Sequence, residues 1–454
     1  METVIKRESL YRYIVWFVYA AAFVLMGVLC PIGDGGDSAI FLEPSIYAAP
    51  VYPMLIRLLM IIFGQGSAMY IALAIIQGML ACVASIYLWH MLDKYVLHRR
   101  LWSVLAVGVI LAPYLMTPML SRKHLLMSNT VMLEALTLPG YYVFMALIIG
   151  IICEEKYRKY LIGALITSYL LMITRPQFML TVPILVIAVA VVCIKRRSYV
   201  KPVVVLLIGI AIIVASNLTD RCYNLYYNGV FTGPAQGAET IMTGFMYASD
   251  EHTAESIDDE SLKTLYDRLY AQLKEERMLY EYAEGSLLSR AAYYEQCHDT
   301  IKFDRFEPIV GDMFGELATG DYTKLILIRD EVAAGLRREI MFANLGNWIC
   351  NYCSLVVMGF VRSVAIESYG LNYFALAMYI IAIALLIHTC KKRGMCRDAV
   401  LAIVLLASVV MFVMATAAVT MCLSRYMIYN LPFFYIAVII LLQGYNHEDS
   451  NKNG

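Results

Sequence analysis

The sequence predicts an all-α polytopic membrane protein. Three observations carry that prediction. The 454 residues are 61% hydrophobic and only 16% charged, with a mean hydropathy of +0.66. That leaves too little polar surface to cover a water-soluble core. Apolar runs recur at a length of about 20 residues, enough to cross hydrocarbon as a helix. No segment shows the short alternating pattern of a membrane β-barrel.

The elements follow in order. Lys6, Arg7 and Arg12 precede an apolar run at 13–29, so the positive-inside rule puts the amino terminus in the cytoplasm. The run is long and no small-residue cleavage site follows it, which reads as a retained helix. A Gly- and Asp-rich loop then lies outside. The run 52–63 is short and interrupted by Arg57, which suits a helix lying on the outer leaflet. Helices are expected at 67–91, 101–120 and 130–153, with Lys94, Arg99 and Arg100 marking an inner turn. A tight pair follows at 160–173 and 178–194, broken by Thr174-Arg175-Pro176-Gln177. Proline there frees backbone groups, which a membrane tolerates only beside protein or water. Lys195, Arg196, Arg197 and Lys201 mark the inside again, and 203–218 leads out.

The stretch 220–340 is acidic and tyrosine-rich, with leucine and tyrosine at three- and four-residue intervals. It reads as amphipathic helices forming an extracytoplasmic subdomain. Beyond it, 341–364 is apolar but carries Asn344, Asn347, Asn351 and Arg362. Charge parity therefore makes it re-entrant or interfacial. Spans at 373–389, 399–419 and 427–442 complete the chain, and the polar tail ends inside. The total is about ten spanning helices, with eleven as the alternative. The chain divides into 1–219, containing the first outer loop at 31–66, then 220–340, then 341–454.

Function classes narrow accordingly. Basic residues lie in short clusters between apolar runs, so nothing suggests nucleic-acid binding. Most of the eleven cysteines sit in apolar runs and read as small hydrophobes. Cys350 and Cys353 form a lone Cys-x-x-Cys without histidine or a second pair, which disfavours a metal or redox role. No internal repeat of the transporter type is present, and the polar groups gather on one expected face rather than at the midplane, which disfavours a transporter or flippase of lipid-linked substrates.

Those outer-face groups are Asp34, Asp37, Glu43, Arg57, Arg122, Lys123, Glu134, Arg175 and Arg425. A carboxylate in a Gly-rich loop can act as a general base. A helix-end arginine suits a phosphate, because its planar fork makes two charge-assisted hydrogen bonds. Each also has a plainer reading. Asp34 and Asp37 can shape a turn, Pro53 can begin a helix, Arg175 and Arg425 can snorkel to headgroups, and Glu134 can be a satisfied polar group between helices.

Four motifs carry a family resemblance. "GDS" at Gly36 to Ser38 and "PVYP" at Pro50 to Pro53 resemble the first outer loop of the GT-C glycosyltransferases. Within that group they resemble protein O-mannosyltransferases and the bacterial family 39-like and aminoarabinose transferases. "TRPQ" at Thr174 to Gln177 is similar to the Arg/Lys-Pro turn of those enzymes, and "LSRYMIYNLPFF" from Leu423 to their Arg-Tyr-…-Pro segment. The resemblance does not extend over 220–340.

It implies a sugar donor linked to polyprenyl phosphate and a lipid, glycan or protein acceptor met at the outer face of a bacterial cytoplasmic membrane, with inverting transfer. Asp37 matches the family's base position, with Asp34 its rival or helper. Arg175 and Arg425 would meet the donor phosphate. Glu43, Tyr52, Arg57, Arg122, Lys123 and Glu134 would line the substrate site. The chain departs from the family in having Ser38 where an Asp-Glu pair would continue, and in lacking histidine near "PVYP". The two aspartates could hold Mg²⁺ or Mn²⁺, although no full ligand set is visible. An O-antigen polymerase or ligase is the competing enzyme class, and there the catalytic residues would lie in a large late loop.

Overall fold

The architecture comes from a computed structural model that describes residues 2–34, 38–43, 45–120, 125–195, 200–235, 237–365 and 371–452. It is an all-α polytopic membrane protein. The first helices are α1 (Glu2–Leu29), α2 (Ser38–Leu42), α3 (Val51–Phe63), α4 (Ser67–Tyr95), α5 (Arg100–Leu120), α6 (Glu134–Cys153), α7 (Arg158–Met172), α8 (Thr181–Lys195) and α9 (Val200–Asn228). Then come α10 (Gly237–Tyr247), α11 (Glu260–Glu275), α12 (Leu287–Asp299), α13 (Glu307–Phe314) and α14 (Tyr322–Ile340). The last are α15 (Leu345–Ala365), α16 (Leu371–Arg393), α17 (Arg397–Val419), α18 (Ser424–Met427) and α19 (Asn430–Lys452). Two short strands, β1 (Gly33–Asp34) and β2 (Thr130–Val131), pair in parallel.

Among the described residues nine helices are long and apolar enough to cross a membrane, and Asn430–Tyr445 is a shorter apolar helix. One expectation changes here. The segment expected to be re-entrant or interfacial is the unbroken 21-residue helix α15, which meets the length and composition of a span. Asn344 just before it, and Asn347 and Arg362 within it, find partners within the protein instead of breaking the helix. Asn344 Nδ2 donates to Phe245 O (3.2 Å) and Ser249 Oγ (2.8 Å), and Asn347 Nδ2 to Ala248 O (3.0 Å). Arg362 forks onto both oxygens of Glu295, at 3.1 and 3.0 Å.

The chain forms two compact units. One comprises residues 1–220, 363–411 and 428–454, and the other 221–362 and 412–427. The second unit therefore runs beyond the soluble stretch read at 220–340. The Arg362–Glu295 fork, with Arg362 Nη1 also donating to Cys422 O (2.9 Å), shows why: a charged clamp ties those later residues to α12.

In the first unit α6 is the core helix. Tyr141, Tyr142, Phe144, Met145 and Ile148 are fully buried, as expected of a helix apolar on every side. Its tyrosine hydroxyl at 142 donates to Ile110 O (2.9 Å), so the buried polar atom has a partner. Tyr141, Phe178, Tyr429 and Phe433 form an aromatic cluster around it. Close packing needs a glycine at 150, where a Cβ would come within 2.6 Å of the Tyr160 ring.

In the second unit polar caps start the amphipathic helices. Asp259 accepts from Ser261 N and Leu262 N at α11, and Asp321 from Thr323 N and Lys324 N at α14. Inside this unit Glu239 of α10 is fully buried, and its carboxylate oxygens have no hydrogen-bond partner among the described residues. Burial pushes its carboxyl up to about 7, opposed by the nearby Lys302 ammonium. Lys302 lies on a π-helical turn, Thr300–Phe306, and donates to Thr240 Oγ1 at 3.1 Å.

This carries a stability prediction. The folded-state pKa is raised, so the folded protein binds more protons than the unfolded one between the ordinary carboxylate range and about 7. Stability of this unit falls as pH rises through that window. Glu239→Gln is expected to flatten the dependence and to raise stability at pH 8 by on the order of 1–3 kcal/mol. Chemical denaturation between pH 4.5 and 8 measures it, and an unchanged pH slope would refute it.

Candidate functional site

Strand pairing brings the first outer loop to α6. Gly33 pairs with Thr130 and Asp34 with Val131, so Asp34 sits three residues short of Glu134 in the partner register. Ser38 Oγ, buried, donates to Val131 O at 3.0 Å and closes the loop on the same strand. Asn129 Nδ2 donates to Gly27 O (3.1 Å) and Cys30 O (2.9 Å), which satisfies carbonyls at the end of α1.

Tyr52, from the Pro-x-Tyr-Pro motif, is fully buried and pins this assembly. Its hydroxyl donates to Gln77 Oε1 (2.7 Å) and accepts from Met132 N (3.0 Å). Gln77, itself fully buried, donates through Nε2 to Ser128 O (3.0 Å) and Thr130 O (3.1 Å). Phe41, Ile56, Leu59, Met69 and Leu73 pack around Tyr52. Sequence reading placed Tyr52 in the substrate lining; in the structure it is fully buried and hydrogen-bonded beside β2. Tyr52→Phe orphans Gln77 Oε1 and leaves Met132 N only its bond to Thr130 O, so a loss of about 1–3 kcal/mol is expected. Thermal unfolding in detergent would read it, and an unchanged midpoint would contradict the pinning role.

The "TRPQ" turn joins the same region. Val51 N donates to Ile173 O at 3.4 Å. Pro176 forbids a helical conformation at the residue before it, and Arg175 is extended, with φ −153° and ψ 113°. That turns its side chain away from the helix line. Arg175 Nη1 donates to Glu134 Oε1 at 2.8 Å and lies 3.5 Å from Tyr429 Oη. Glu134 is nearly buried, with 6% of its side chain exposed, and Arg175 is 15% exposed. Tyr429 also bonds Thr137, the two hydroxyl oxygens being 2.6 Å apart.

The other sequence-singled residues fall as follows. Asp34 is exposed, and Tyr70 of α4 interacts with its carboxylate. Glu43 is exposed, and Arg57 is half-buried on α3. Asp37, Arg122 and Lys123 lie outside the described residues. Arg425 belongs to the second unit, on α18, where Nη2 donates to Tyr426 Oη at 2.8 Å and the guanidinium lies over that ring at 4.8 Å. In that unit the Arg425 charge, after hydrogen bonding from His298, also helps hold the Asp299 carboxyl below its ordinary range.

Sequence reading missed Gln77 and Asn129, which hold the loop. A glutamine inside a long apolar run was the available signal, since a buried amide in hydrocarbon must find partners. Among the described residues no group of three His, Cys, Asp or Glu side chains could hold a metal ion.

No family model matches the chain, and no curated protein matches it in sequence. Its fold is similar to a solved structure of the archaeal oligosaccharyltransferase AglB from Archaeoglobus fulgidus, in complex with an inhibitory peptide and a dolichol-phosphate. The TM-score is 0.45 at 13% identity, covering 96% of this chain and 50% of that one. The chain thus spans about half the length of that enzyme.

Proposed function

We propose that this protein is a membrane glycosyltransferase that moves a sugar from a polyprenyl-phosphate-linked donor to an acceptor at the outer face of a cell membrane. The observation that carries the reading is the gathering of motifs far apart in sequence. The β1–β2 pairing, the Tyr52 pin, the Val51–Ile173 bond and the Arg175–Glu134 pair bring the loop at 31–66, the start of α6 and the "TRPQ" turn to one region of the first unit.

The chemistry is a direct displacement with inversion. An aspartate of the loop, Asp37 or Asp34, accepts the proton of the acceptor hydroxyl as that oxygen bonds the anomeric carbon. The bond from that carbon to the donor's phosphate oxygen breaks, and the electron pair leaves with the lipid phosphate. Developing charge there is stabilised by a fixed guanidinium. Arg175 is the first candidate for that role, because Glu134 holds its Nη1 edge in a defined direction. Arg425 is the second, and its variant is assayed separately.

The test is transfer by the full-length protein in nanodiscs, from a synthetic short-chain polyprenyl-phosphate sugar to a panel of lipid, glycan and peptide acceptors. Product carrying the opposite anomeric configuration supports the reading. Transport of the intact donor across a proteoliposome membrane without transfer would replace it.

A further inference from the structure

The first unit holds a groove of about 430 Å³ between α1 and α4 that the reading above does not use. Its volume lies within the ~300–1,000 Å³ usual for a ligand site. Phe23, Val24 and Gly27 of α1 and Ile75, Gly78 and Met79 of α4 are among its walls. Two glycines leave the space. A Cβ at Gly27 or at Gly78 would meet nothing within 4 Å. Glycine inside a helix is unfavourable relative to alanine, and both of these line the groove.

The groove follows the helices from one end of a span to its middle. Its α1 and α4 residues all fall inside two candidate membrane spans, Leu10–Leu29 and Ser67–Tyr95. The end of α1 meets the start of α4. There Asn129 Nδ2 bonds Gly27 O and Cys30 O, and Tyr70 interacts with Asp34. At the other end Cys82 lies within electrostatic reach of Tyr19. From Ile71 to Cys82 the lining runs about 16 Å along α4, close to half of the ~30 Å hydrocarbon thickness. That is the depth of one leaflet.

The chemistry selects an alkyl chain. Val24, Val28, Ile75 and Met79 are exposed along the groove, whereas Phe23 and Ala74 are buried. A slot one leaflet deep and open to hydrocarbon on one side suits a single flexible chain. No Asp, Glu, Lys, Arg or His lines it among the described residues, so a charged head inside it would be desolvated without compensation. The head therefore lies at the end lined by Ile32, Ser128 and Asn129, where β1 and β2 begin.

That end also selects which substrate the chain belongs to. Asp34, one of the two candidate bases, is two residues beyond Ile32, at most about 7 Å along the backbone. Arg175, the first candidate for the donor phosphate, is not in the lining, and its partners are Glu134 of α6 and Tyr429 just before α19. A base must reach the acceptor hydroxyl, so a chain that ends beside it is the acceptor's.

We infer that the α1–α4 groove seats one alkyl chain of a lipid acceptor and presents a hydroxyl of its headgroup to the loop of Asp34 and Asp37. The inference rests on the glycosyltransferase reading and narrows its acceptor to a lipid.

The experiment uses full-length protein in phosphatidylcholine nanodiscs with trace lipids that carry one diazirine acyl chain. Three have hydroxyl heads: phosphatidylglycerol, phosphatidylinositol and monoglucosyl diacylglycerol. Phosphatidylcholine with the same chain and a diazirine-tailed polyprenyl phosphate are the controls. Crosslinks are mapped by mass spectrometry, and transfer to each lipid is measured from the short-chain donor. At least one hydroxyl-headed lipid is expected to label 20–28 and 71–82 in preference to both controls, and to accept the sugar. In Gly27→Leu and Gly78→Leu the new side chain starts into open space. Each should cut that labelling, and raise the KM for that lipid, about tenfold, the loss of roughly two buried methylenes. Equal labelling by phosphatidylcholine means bulk lipid only and overturns the inference. Preferential labelling by the polyprenyl phosphate gives the groove to the donor and overturns it too, as does labelling that both variants leave unchanged. Transfer to a soluble glycan or peptide without labelling of the groove removes this inference and leaves the enzyme reading. Labelling by a hydroxyl-headed lipid without transfer to any acceptor removes the enzyme reading and leaves the groove as a lipid site.

Discussion

Asp37→Asn is expected to lower sugar transfer by about 100- to 10,000-fold, the range that a positioned general base contributes. Asp34→Asn is the paired experiment, because the two carboxylates lie three residues apart in one loop and either can be the base. Asp34 is exposed on β1, so its substitution should leave the unfolding midpoint within the small range of surface changes, about 0.5 kcal/mol either way. A loss of rate without loss of stability is then a statement about chemistry. Single-turnover rates with saturating donor, measured for both variants across pH 5 to 9, assign the role. The base is the residue whose removal also flattens the acid limb of the profile. If both variants transfer at the wild-type rate, no carboxylate of this loop takes the proton.

The second large effect concerns Arg175 and Glu134. Removing one partner of a nearly buried ion pair leaves an uncompensated charge, at a cost of about 3–5 kcal/mol. Glu134→Gln and Arg175→Met are each expected to unfold at clearly lower temperature. The double variant should recover most of that stability, since a neutral pair carries little penalty, and the non-additivity measures the coupling. Activity separates the structural role from the chemical one. If Arg175 faces the donor phosphate, the stable double variant still fails to transfer, with the loss in the rate at saturation rather than in acceptor affinity. Wild-type transfer in the double variant would reduce the pair to a strut between α6 and the turn before α8.

The legible part of the fold follows from one constraint. In hydrocarbon a segment must satisfy its own backbone, so long apolar runs declare themselves as helices whatever their neighbours. The runs around α1, α4, α5, α6, α9, α16 and α17 are therefore visible without knowing what packs on them. Pro53 marked the entry to α3, and Pro176 marked the break that turns Arg175, because proline acts on its own residue and the one before it. Membership of α15 was not legible in this way. Its asparagines and Arg362 count as obstacles until Phe245 O, Ala248 O and Glu295 are known to meet them.

What the sequence by itself determined is the class of protein, the ends of most helices and the residue types able to move a proton or hold a phosphate. What only the tertiary structure decided is which of them meet. Arg175 and Glu134 lie 41 positions apart, Tyr52 and Met132 80 apart. Backbone propensity acts over a few neighbours, whereas an ion pair or a buried hydroxyl is defined by partners that arrive only when the helices pack.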